Sequence, residues 1–474
     1  LIHFIKSLPN HSVRQRAYSC LKKEFKMNKY LLWGCIGLGS VSNAYAELPQ
    51  EFGKLELKLN TRYWNDEGTA HPTLANPSPS SSEYEQSALG LELNYQSPYM
   101  WDWLGVDGSL YAVTKLFDSG KPSAQLLEVE NNGKLDQNFA TLGQLYIKAK
   151  LGDKGEIKLG RQLQDSLLLK STNNRAVPDT FSGASGQFQL NDQLQTYIAY
   201  YDRWKPRSMD SFEKLVTEND ERIDYVGLLG AKYQYKNWSV NAEYLNSKDY
   251  LKKYGAIAQY KLPLHGLVWT FNTGAFFSRD DGKLFKCGAE SELDCVKGQD
   301  INNRGNGYFI DVNVAQNNLE GGIAVSKFDG FWIEDNFAVH SARNSVLTQD
   351  HGTNPFPTSA TIGPDFTNND ETAVALRLKY NWKDYVKGLK TEAKYIYGFG
   401  AHQSNISSDI EGKERYFDLT LSYALPWVKN LDVRYSFLHY ESKFENADLG
   451  EKINGMTRKD WDQHRVFINY RYTF

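Results

Sequence analysis

The chain has 474 residues, of which 54 are basic and 57 acidic, a net charge of −3 and a mean hydropathy of −0.56. These values exclude a bundle of transmembrane helices, since each helix would need roughly 20 apolar residues in succession. Along the sequence, the basic residues do not form the clusters that are typical of nucleic-acid-binding proteins. Tyrosine is abundant, with 30 residues. A polar chain rich in aromatic residues is typical of strands that are apolar on one face only.

The N-terminal segment has the pattern of a targeting sequence. A short basic start, Met27–Lys29, precedes the apolar stretch Tyr30–Ser40 and the small-x-small pattern Ala44–Ala46. We therefore predict a signal peptide at 27–46 that is cleaved after Ala46. Residues 1–26 are predicted to be mis-assigned translation upstream of a true start at Met27; an unusually long leader is the alternative. A single domain is expected over residues 47–474.

From residue 54 onward, apolar and polar residues alternate with the period of two that is typical of β-strands. In the first segment, leucines at 55, 57 and 59 alternate with Glu56, Lys58 and Asn60. Eighteen such segments follow one another, near 54–65, 85–97, 104–117, 139–151, 155–163, 185–190, 193–202, 224–235, 237–246, 252–261, 267–279, 305–315, 318–328, 371–382, 388–399, 414–425, 429–441 and 463–474. A soluble core does not accommodate so many charges, because each buried unpaired charge costs several kcal/mol.

The connections between these segments alternate in length. The long connections are 66–84, 118–138, 164–184, 203–223, 280–304, 329–370 and 442–462, whereas most of the others are short turns. Short periplasmic turns, long extracellular loops and an even strand number predict an all-β fold, a transmembrane antiparallel β-barrel of about 18 strands. A barrel of this size encloses an aqueous lumen unless loops fill it.

Two cysteines, Cys287 and Cys295, lie close together in the predicted external loop 280–304. An exported chain enters an oxidising compartment, so this pair indicates a disulfide across a small loop. A pair of free thiols is the alternative.

Several motifs resemble the OprD (Occ) family of substrate-specific outer-membrane channels. Ile157–Gln162 and Asn174–Gly183, which read IKLGRQ and NRAVPDTFSG, are similar to the family's sequence before its inward-folded third loop. Further matches occur in the same order as in the family, at Lys387–Gly398, Glu414–Tyr423, Val428–Tyr435 and Asp462–Tyr470. The terminal Phe474 resembles the recognition signal of bacterial outer-membrane barrels. The resemblance covers about the whole chain after the predicted signal peptide.

The resemblance implies passive diffusion of small carboxylate-containing solutes, such as amino acids, aromatic or other organic acids and antibiotics. It implies a location in the outer membrane of a Gram-negative bacterium, with lipid and lipopolysaccharide as neighbours. The barrel-assembly machinery would bind through Phe474, and the oligomeric state would be a monomer or a weak trimer. We expect no nucleic-acid partner, no cofactor, no metal site and no enzymatic activity.

In the family, a basic ladder runs along the lumen wall towards a constriction made by loops three, four and seven. The period-two alternation places eight basic residues on the lumen face: Lys58, Arg62, Arg377, Lys379, Lys394, Arg434, Arg465 and Arg471. The alternative is that these charges pair with acids such as Glu56, Glu392, Asp418 and Asp432 and stiffen the wall. Lys394 stands where the family usually has Arg, and Ser436 stands where a further ladder Arg would be expected.

The resemblance also identifies candidate constriction residues in two loops. They are Asp165, Arg175, Asp179 and Thr180 in loop three, and Arg203, Arg207, Ser208 and Asp210 in loop four. The alternative for each is a solvated loop residue with no role in the constriction.

Three other functions are alternatives. A general, less selective diffusion porin would differ in strand number and pore width. An outer-membrane hydrolase would need a Ser-His or Asp-His constellation, but none of the histidines after the signal peptide lies in a nucleophile or HExxH metal motif. Those histidines are His71, His265, His340, His351, His402, His439 and His464. A purely structural or adhesive barrel is the third alternative.

Overall fold

The computed structural model describes residues 50–73, 77–120, 125–287, 298–299, 302–344, 347–403, 409–448, 450–451, 453 and 455–474. The predicted signal peptide and Cys295 lie outside the described residues. Cys287 is buried and disulfide-bonded. Among the described residues, no helix is long and apolar enough to cross a bilayer.

Eighteen antiparallel strands form one closed barrel and are numbered β1 to β18 in chain order. They are β1 Lys54–Ala70, β2 Ser80–Gln96, β3 Leu104–Asp118, β4 Asn138–Lys150, β5 Gly155–Gln162, β6 Thr180–Gln189, β7 Leu194–Lys205, β8 Val226–Tyr235, β9 Trp238–Ser247, β10 Leu251–Leu264, β11 Leu267–Asp280, β12 Arg304–Gln316, β13 Leu319–Asp329, β14 Thr372–Asn381, β15 Leu389–Ala401, β16 Glu411–Ala424, β17 Leu431–Glu445 and β18 Lys459–Thr473. Each strand pairs with the next barrel strand in sequence. The ring closes where β1 pairs with β18, from Glu56 opposite Thr473 to Ala70 opposite Lys459.

The predicted number and order of the strands are confirmed. Several strands extend further than predicted on the side of the long loops, so that β1 reaches Ala70 and β2 already begins at Ser80. In these extensions serine and glutamate replace the apolar residues, while the backbone ladder continues from Asn65 opposite Glu85 to Ala70 opposite Ser80. The apolar alternation therefore marks only the part of each strand that needs a lipid-facing side.

Side-chain burial alternates along the strands as the period of two requires. On β14, Leu376 and Leu378 are 52% and 53% exposed, whereas the alternating Ala373 and Ala375 are fully buried. Side chains on the lumen side of the strands pack against other protein atoms, whereas those on the outer side do not. A high exposed fraction therefore identifies the outward face. The outward face is apolar, and the lumen face carries the polar residues, including Asn60, Arg62 and Glu243.

The tight turns on the short-loop side place non-glycine residues in the left-handed conformation. Lys236, His265 and Asn317 each have a φ of 51°, close to the left-handed helical value, and each begins a two-residue connection. Turns with positive φ match the right-handed twist of the strands that they join.

The long loops fold into the lumen and contact the wall there. The loop 330–371 contains a hairpin that the sequence did not predict, in which Asp335–His340 pairs with Thr348–Gly352. A short strand, Glu213–Lys214, extends the loop 206–225 along β7. These loops and the wall share one apolar cluster, with members that include Leu168, Met209, Trp332, Phe337 and Phe356 from the loops and Phe181, Trp204, Phe276 and Phe309 from the strands.

Candidate functional site

The loop 163–179, called the lumen loop below, joins β5 to β6 and is held by β1. Asn60 Nδ2 donates to the carbonyl of Ala176 at 3.1 Å, and Arg62 Nε donates to the carbonyl of Arg175 at 2.9 Å. The neighbouring strand leaves room for this contact because residue 90 is glycine: a Cβ there would lie 2.2 Å from the Ala176 oxygen. Arg62, a predicted ladder residue, therefore binds the loop backbone.

Two acidic residues hold the rest of the lumen loop. Glu243 on β9 accepts hydrogen bonds from the amides of Leu167 and Leu168, at 2.9 and 3.0 Å. Within the loop, the buried Asp179 accepts from the Thr172 amide at 2.6 Å and from Trp204 Nε1 at 2.9 Å. Asp179, a predicted constriction residue, therefore stabilises the conformation of the lumen loop.

The remaining predicted residues of loops three and four are spread over several environments. Asp165 forms an exposed ion pair with Lys170 at 2.9 Å. Arg207 donates to Thr172 Oγ1 and Asn174 Oδ1, and so ties the loop 206–225 to the lumen loop. Two pairs join the loop 206–225 to the loop 330–371, Ser208 with Gln349 and Asp210 with Arg343. Thr180 is buried, and Arg203 lies 4.0 Å from Asp202.

The loop 330–371, called the hairpin loop below, is attached to the wall through the carbonyl of Ser359 and the side-chain amide of Asn368. Lys394 Nζ donates to the carbonyl of Ser359. At the end of the loop, Asn368 donates to both Glu371 and Glu414, at 2.8 and 3.2 Å. Burial raises the pKa of Glu371 to about 6, although hydrogen bonds from Asn368 oppose this shift. Lys394, a second predicted ladder residue, is therefore engaged in holding a loop.

His351 lies at the centre of the hairpin loop. Its ring stacks on Phe337 with the centroids 5.1 Å apart, and its Nε2 lies 3.2 Å from the Lys170 carbonyl and 3.8 Å from Asp179. Burial lowers the pKa of His351 to about 4. A neutral imidazole therefore fills this position at neutral pH.

Four arginines gather on two aromatic rings of the lumen wall. Arg175 and Arg465 place their guanidinium groups 4.2 and 4.0 Å from the Trp64 ring. Arg434 and Arg62 lie 3.8 and 5.0 Å from the ring of Phe467. We call these four residues, Arg62, Arg175, Arg434 and Arg465, the arginine cluster.

Three members of the arginine cluster, Arg175, Arg434 and Arg465, have buried donor atoms that no described residue accepts from. In the described part of the chain, Arg434 makes no hydrogen bond or ion pair, and its Nε is buried without a partner. Arg465 donates to Gln463, yet its Nε and Nη1 are buried and unpaired. Arg175 donates to Gln125 at 2.7 Å and keeps Nη1 unpaired. Burial is the main cause that lowers the pKa of Arg175, and the nearby charges of Arg207 and Arg465 lower it further.

The other predicted ladder residues already have acidic or amide partners. Arg377 pairs with Asp311 and donates to Asn313 at 3.1 Å. The remaining pairs are Lys58 with Glu56 at 3.2 Å, Lys379 with Glu320 at 3.8 Å and Arg471 with Glu56 at 3.5 Å. The eight basic residues thus divide into Arg434 and Arg465, which have unused donors, and six that bind loops or neighbouring side chains.

Sequence reasoning missed three wall residues that shape this site. Trp64 and Asp66 alternate with Arg62 on the lumen face of β1, and Glu243 occupies the lumen face of β9. Trp64 is fully buried on a face that is otherwise polar. A tryptophan that breaks the polar alternation between two charged residues is the signal that would have identified it.

A sequence model described as "outer membrane porin, OprD family" matches residues 51–474. Among curated proteins, the porin-like protein GalP of Pseudomonas putida is 23% identical over 376 residues, which cover 77% of this chain and 80% of GalP.

Solved structures with the same fold include Pseudomonas aeruginosa OpdK with vanillate, at 19% identity and a TM-score of 0.69, covering 89% of this chain and 99% of OpdK. A BenF-like porin from Pseudomonas fluorescens Pf-5 has 19% identity and a TM-score of 0.71, covering 90% of this chain and all of that one. OccAB3 of Acinetobacter baumannii has 20% identity and a TM-score of 0.70, covering 89% and 99%. At these identities the structures establish the fold.

Proposed function

The chain belongs to the OprD family of outer-membrane porins, and we propose that it is a passive, selective channel for small solutes that carry a carboxylate. The channel function and the outer-membrane location follow from the family. The choice of solute is the proposal, and it rests on the chemistry of the lumen wall.

One observation carries this proposal: the arginine cluster has unused donors on the lumen wall. Arg434 has no ion-pair partner among the described residues, and buried donors of Arg465 and Arg175 lack acceptors. A buried donor without an acceptor costs roughly 1 to 3 kcal/mol, and more when it is charged. Arg434 and Arg175 are partly exposed, so a passing carboxylate supplies two acceptor oxygens to their planar guanidinium groups, whereas the buried Arg465 acts through its charge. The structure of OpdK, which this chain resembles, contains vanillate, a carboxylate.

Selective passage needs attraction that is shared between several groups. A contact between unit charges at 4 Å is worth about 1 kcal/mol in water and several-fold more at a lower effective dielectric constant. A narrow lumen lies between these limits, so two or three guanidinium groups compensate for the water that a carboxylate loses. Because Arg434 and Arg465 lie on adjacent strands and Arg175 lies on the lumen loop, the solute exchanges one contact for the next and is released.

The experiment removes the two wall arginines that have unused donors. We expect the double variant Arg434→Gln and Arg465→Gln to slow carboxylate uptake into proteoliposomes by at least about tenfold, since the loss of 1.4 kcal/mol of attraction corresponds to a factor of ten. Heat-modifiable migration in gel electrophoresis should remain unchanged, because the barrel ladder is not altered. Neutral sugars of similar size should pass at the parental rate.

The matched control is Arg415→Gln, which removes an arginine from the outward face of β16, where its partner Glu441 lies 4.0 Å away. This variant should transport carboxylates as the parent does. Equal carboxylate uptake by the parent and the double variant would show that the lumen arginines only stiffen the wall. Uptake that falls equally for sugars and carboxylates would show that these arginines do not select for carboxylates, and would contradict the proposal.

A further inference from the structure

The lumen loop is attached at two places on the barrel, and the two attachments use opposite chemistry. On β1, the basic and amide side chains of Arg62 and Asn60 donate to loop carbonyls. On β9, the carboxylate of Glu243 accepts from loop amides. In the ring of eighteen strands, β1 and β9 are eight positions apart in one direction and ten in the other. The loop therefore reaches between nearly opposite walls.

The carboxylate of Glu243 binds mainly to the lumen loop. Its two oxygens accept hydrogen bonds from Leu167 N at 2.9 Å and Leu168 N at 3.0 Å. Two hydroxyl donors also lie within hydrogen-bonding distance, Ser166 Oγ at 3.0 Å and Tyr197 Oη at 2.7 Å. Glu243 is 4% exposed. No basic side chain forms an ion pair with it in the part of the chain that is described. Three of its four donors belong to the lumen loop, and the fourth, Tyr197, is on the wall.

The β1 attachment lies next to the arginine cluster. Arg62 binds the carbonyl of Arg175, and the Arg175 side chain extends from the same residue to the Trp64 ring, 4.2 Å away. Any movement of the loop backbone at this point therefore moves the guanidinium group of Arg175. At the other end of the lumen loop, Asn336 of the hairpin loop also holds the segment that Glu243 binds, because it donates to the Leu168 carbonyl at 2.9 Å.

We propose that Glu243 is a positioning residue: by fixing residues 166–168 on the wall opposite Arg62, it keeps the lumen loop stretched across the lumen and holds Arg175 at Trp64. The role of Arg175 in solute attraction rests on the proposed function, whereas the attachment of the loop does not. Glu243 itself does not need to contact the solute. Replacing Glu243 therefore changes transport by changing the position of the lumen loop.

The test compares Glu243→Ala with Glu243→Gln in planar bilayers containing potassium chloride. Alanine leaves the amides of Leu167 and Leu168 without an acceptor, so the loop end should detach. We expect the single-channel conductance to roughly double, with frequent current fluctuations as the loop moves. Glutamine removes the charge but keeps one acceptor oxygen, so it should give an intermediate change in conductance. The difference between the two variants separates the attachment from the charge.

A double-mutant cycle identifies the route by which Glu243 acts. In the parent, Glu243→Ala should reduce the permeability of anions relative to cations, because Arg175 leaves the wall. In an Arg175→Gln background the same substitution should leave this ratio unchanged, since the group that Glu243 positions is no longer charged. An equal shift in both backgrounds would show that Glu243 acts through its own field, and would overturn the proposal.

The control for general damage is Asp311→Asn, which changes another lumen carboxylate, one that binds Arg377 and touches neither end of the lumen loop. It should produce no additional current fluctuations. If Glu243→Ala lowers only the unfolding temperature and leaves conductance and fluctuations at the parental values, its role is structural and the proposal is wrong. If the fluctuations appear but the parent shows no preference for anions, the attachment stands and the proposed function fails.

Discussion

The lumen arginines differ in what their head groups already bind. Arg62 is occupied by a loop carbonyl and by Asn469, with hydrogen bonds of 2.9 and 2.7 Å, and Arg377 is occupied by Asp311. Arg434 and Arg465 keep unused donors next to the rings of Phe467 and Trp64. A row of basic residues in the sequence thus contains both loop supports and candidate solute contacts. Only the partners of each head group distinguish the two.

His351 makes the attachment of the hairpin loop dependent on pH. Burial lowers the pKa of His351 from 6.5 to about 4. Between these pH values the imidazole therefore binds a proton more readily when the hairpin loop is detached from the wall (the released loop) than when it is attached (the closed loop). The closed loop is therefore fully stabilised above pH 6.5 and loses up to about 3 kcal/mol as the pH falls towards 4. We expect current fluctuations in bilayers to increase over this range.

The groups that face His351 include Asp179, which opposes the shift of its pKa, and Arg207, which reinforces it. The variant His351→Phe removes the proton acceptor and keeps an aromatic ring against Phe337. It should make the fluctuations much less dependent on pH between 6.5 and 4. An unchanged acid response in this variant would assign the effect to other groups.

At the scale of elements, the strands were predictable and the loop attachments were not. Each barrel strand lies between lipid and a polar lumen, so its side chains alternate, and the alternation is visible in the sequence, as in Leu55–Asn60. The contact between Asn60 and Ala176 joins residues 116 positions apart and uses a backbone carbonyl, which every residue has. The hairpin Asp335–His340 with Thr348–Gly352 lies inside the lumen, where no change of solvent imposes alternation.

Gly90 provides a test of the attachment between the lumen loop and the wall. A Cβ at this position would lie 2.2 Å from the Ala176 oxygen and 2.7 Å from its carbonyl carbon, both of which are backbone atoms. Gly90→Ala should therefore displace the loop and weaken the hydrogen bonds from Asn60 and Arg62, each worth about 1 kcal/mol. We expect increased current fluctuations from a barrel that still assembles.

The control for Gly90 is a glycine on the adjacent strand. At Gly108 of β3 the nearest atom to an added Cβ is 3.6 Å away, an ordinary van der Waals distance. Gly108→Ala should behave as the parent does. If Gly90→Ala gave the same recordings as Gly108→Ala, the loop would not be held against β2.

The whole molecule is organised by its two solvents, with lipid outside and water in the lumen, as expected of a porin barrel. Each strand presents apolar side chains to lipid and polar side chains to the lumen. The hydrogen-bonded ladder between β1 and β18 closes the sheet, so the barrel has no free edge. The outward face must suit lipid for the barrel to assemble, whereas the proposed solute contacts lie on the lumen face. Substitutions on the two faces should separate assembly from transport.

Adjacent residues near the middle of β16 give this separation. Leu419 faces outward, opposite Ala393 and Phe437, while the next residue, Thr420, faces the lumen and donates to Asp418 at 2.9 Å. An arginine facing lipid near the membrane centre costs roughly 2 to 4 kcal/mol, so Leu419→Arg should reduce the fraction of heat-modifiable, assembled barrel. Thr420→Arg adds the same side chain next to Asp418 and water, so assembly should remain at the parental level while the anion preference changes. Loss of assembly in Thr420→Arg but not in Leu419→Arg would reverse the assignment of the two faces, and with it the placement of Arg434 and Arg465 in the lumen.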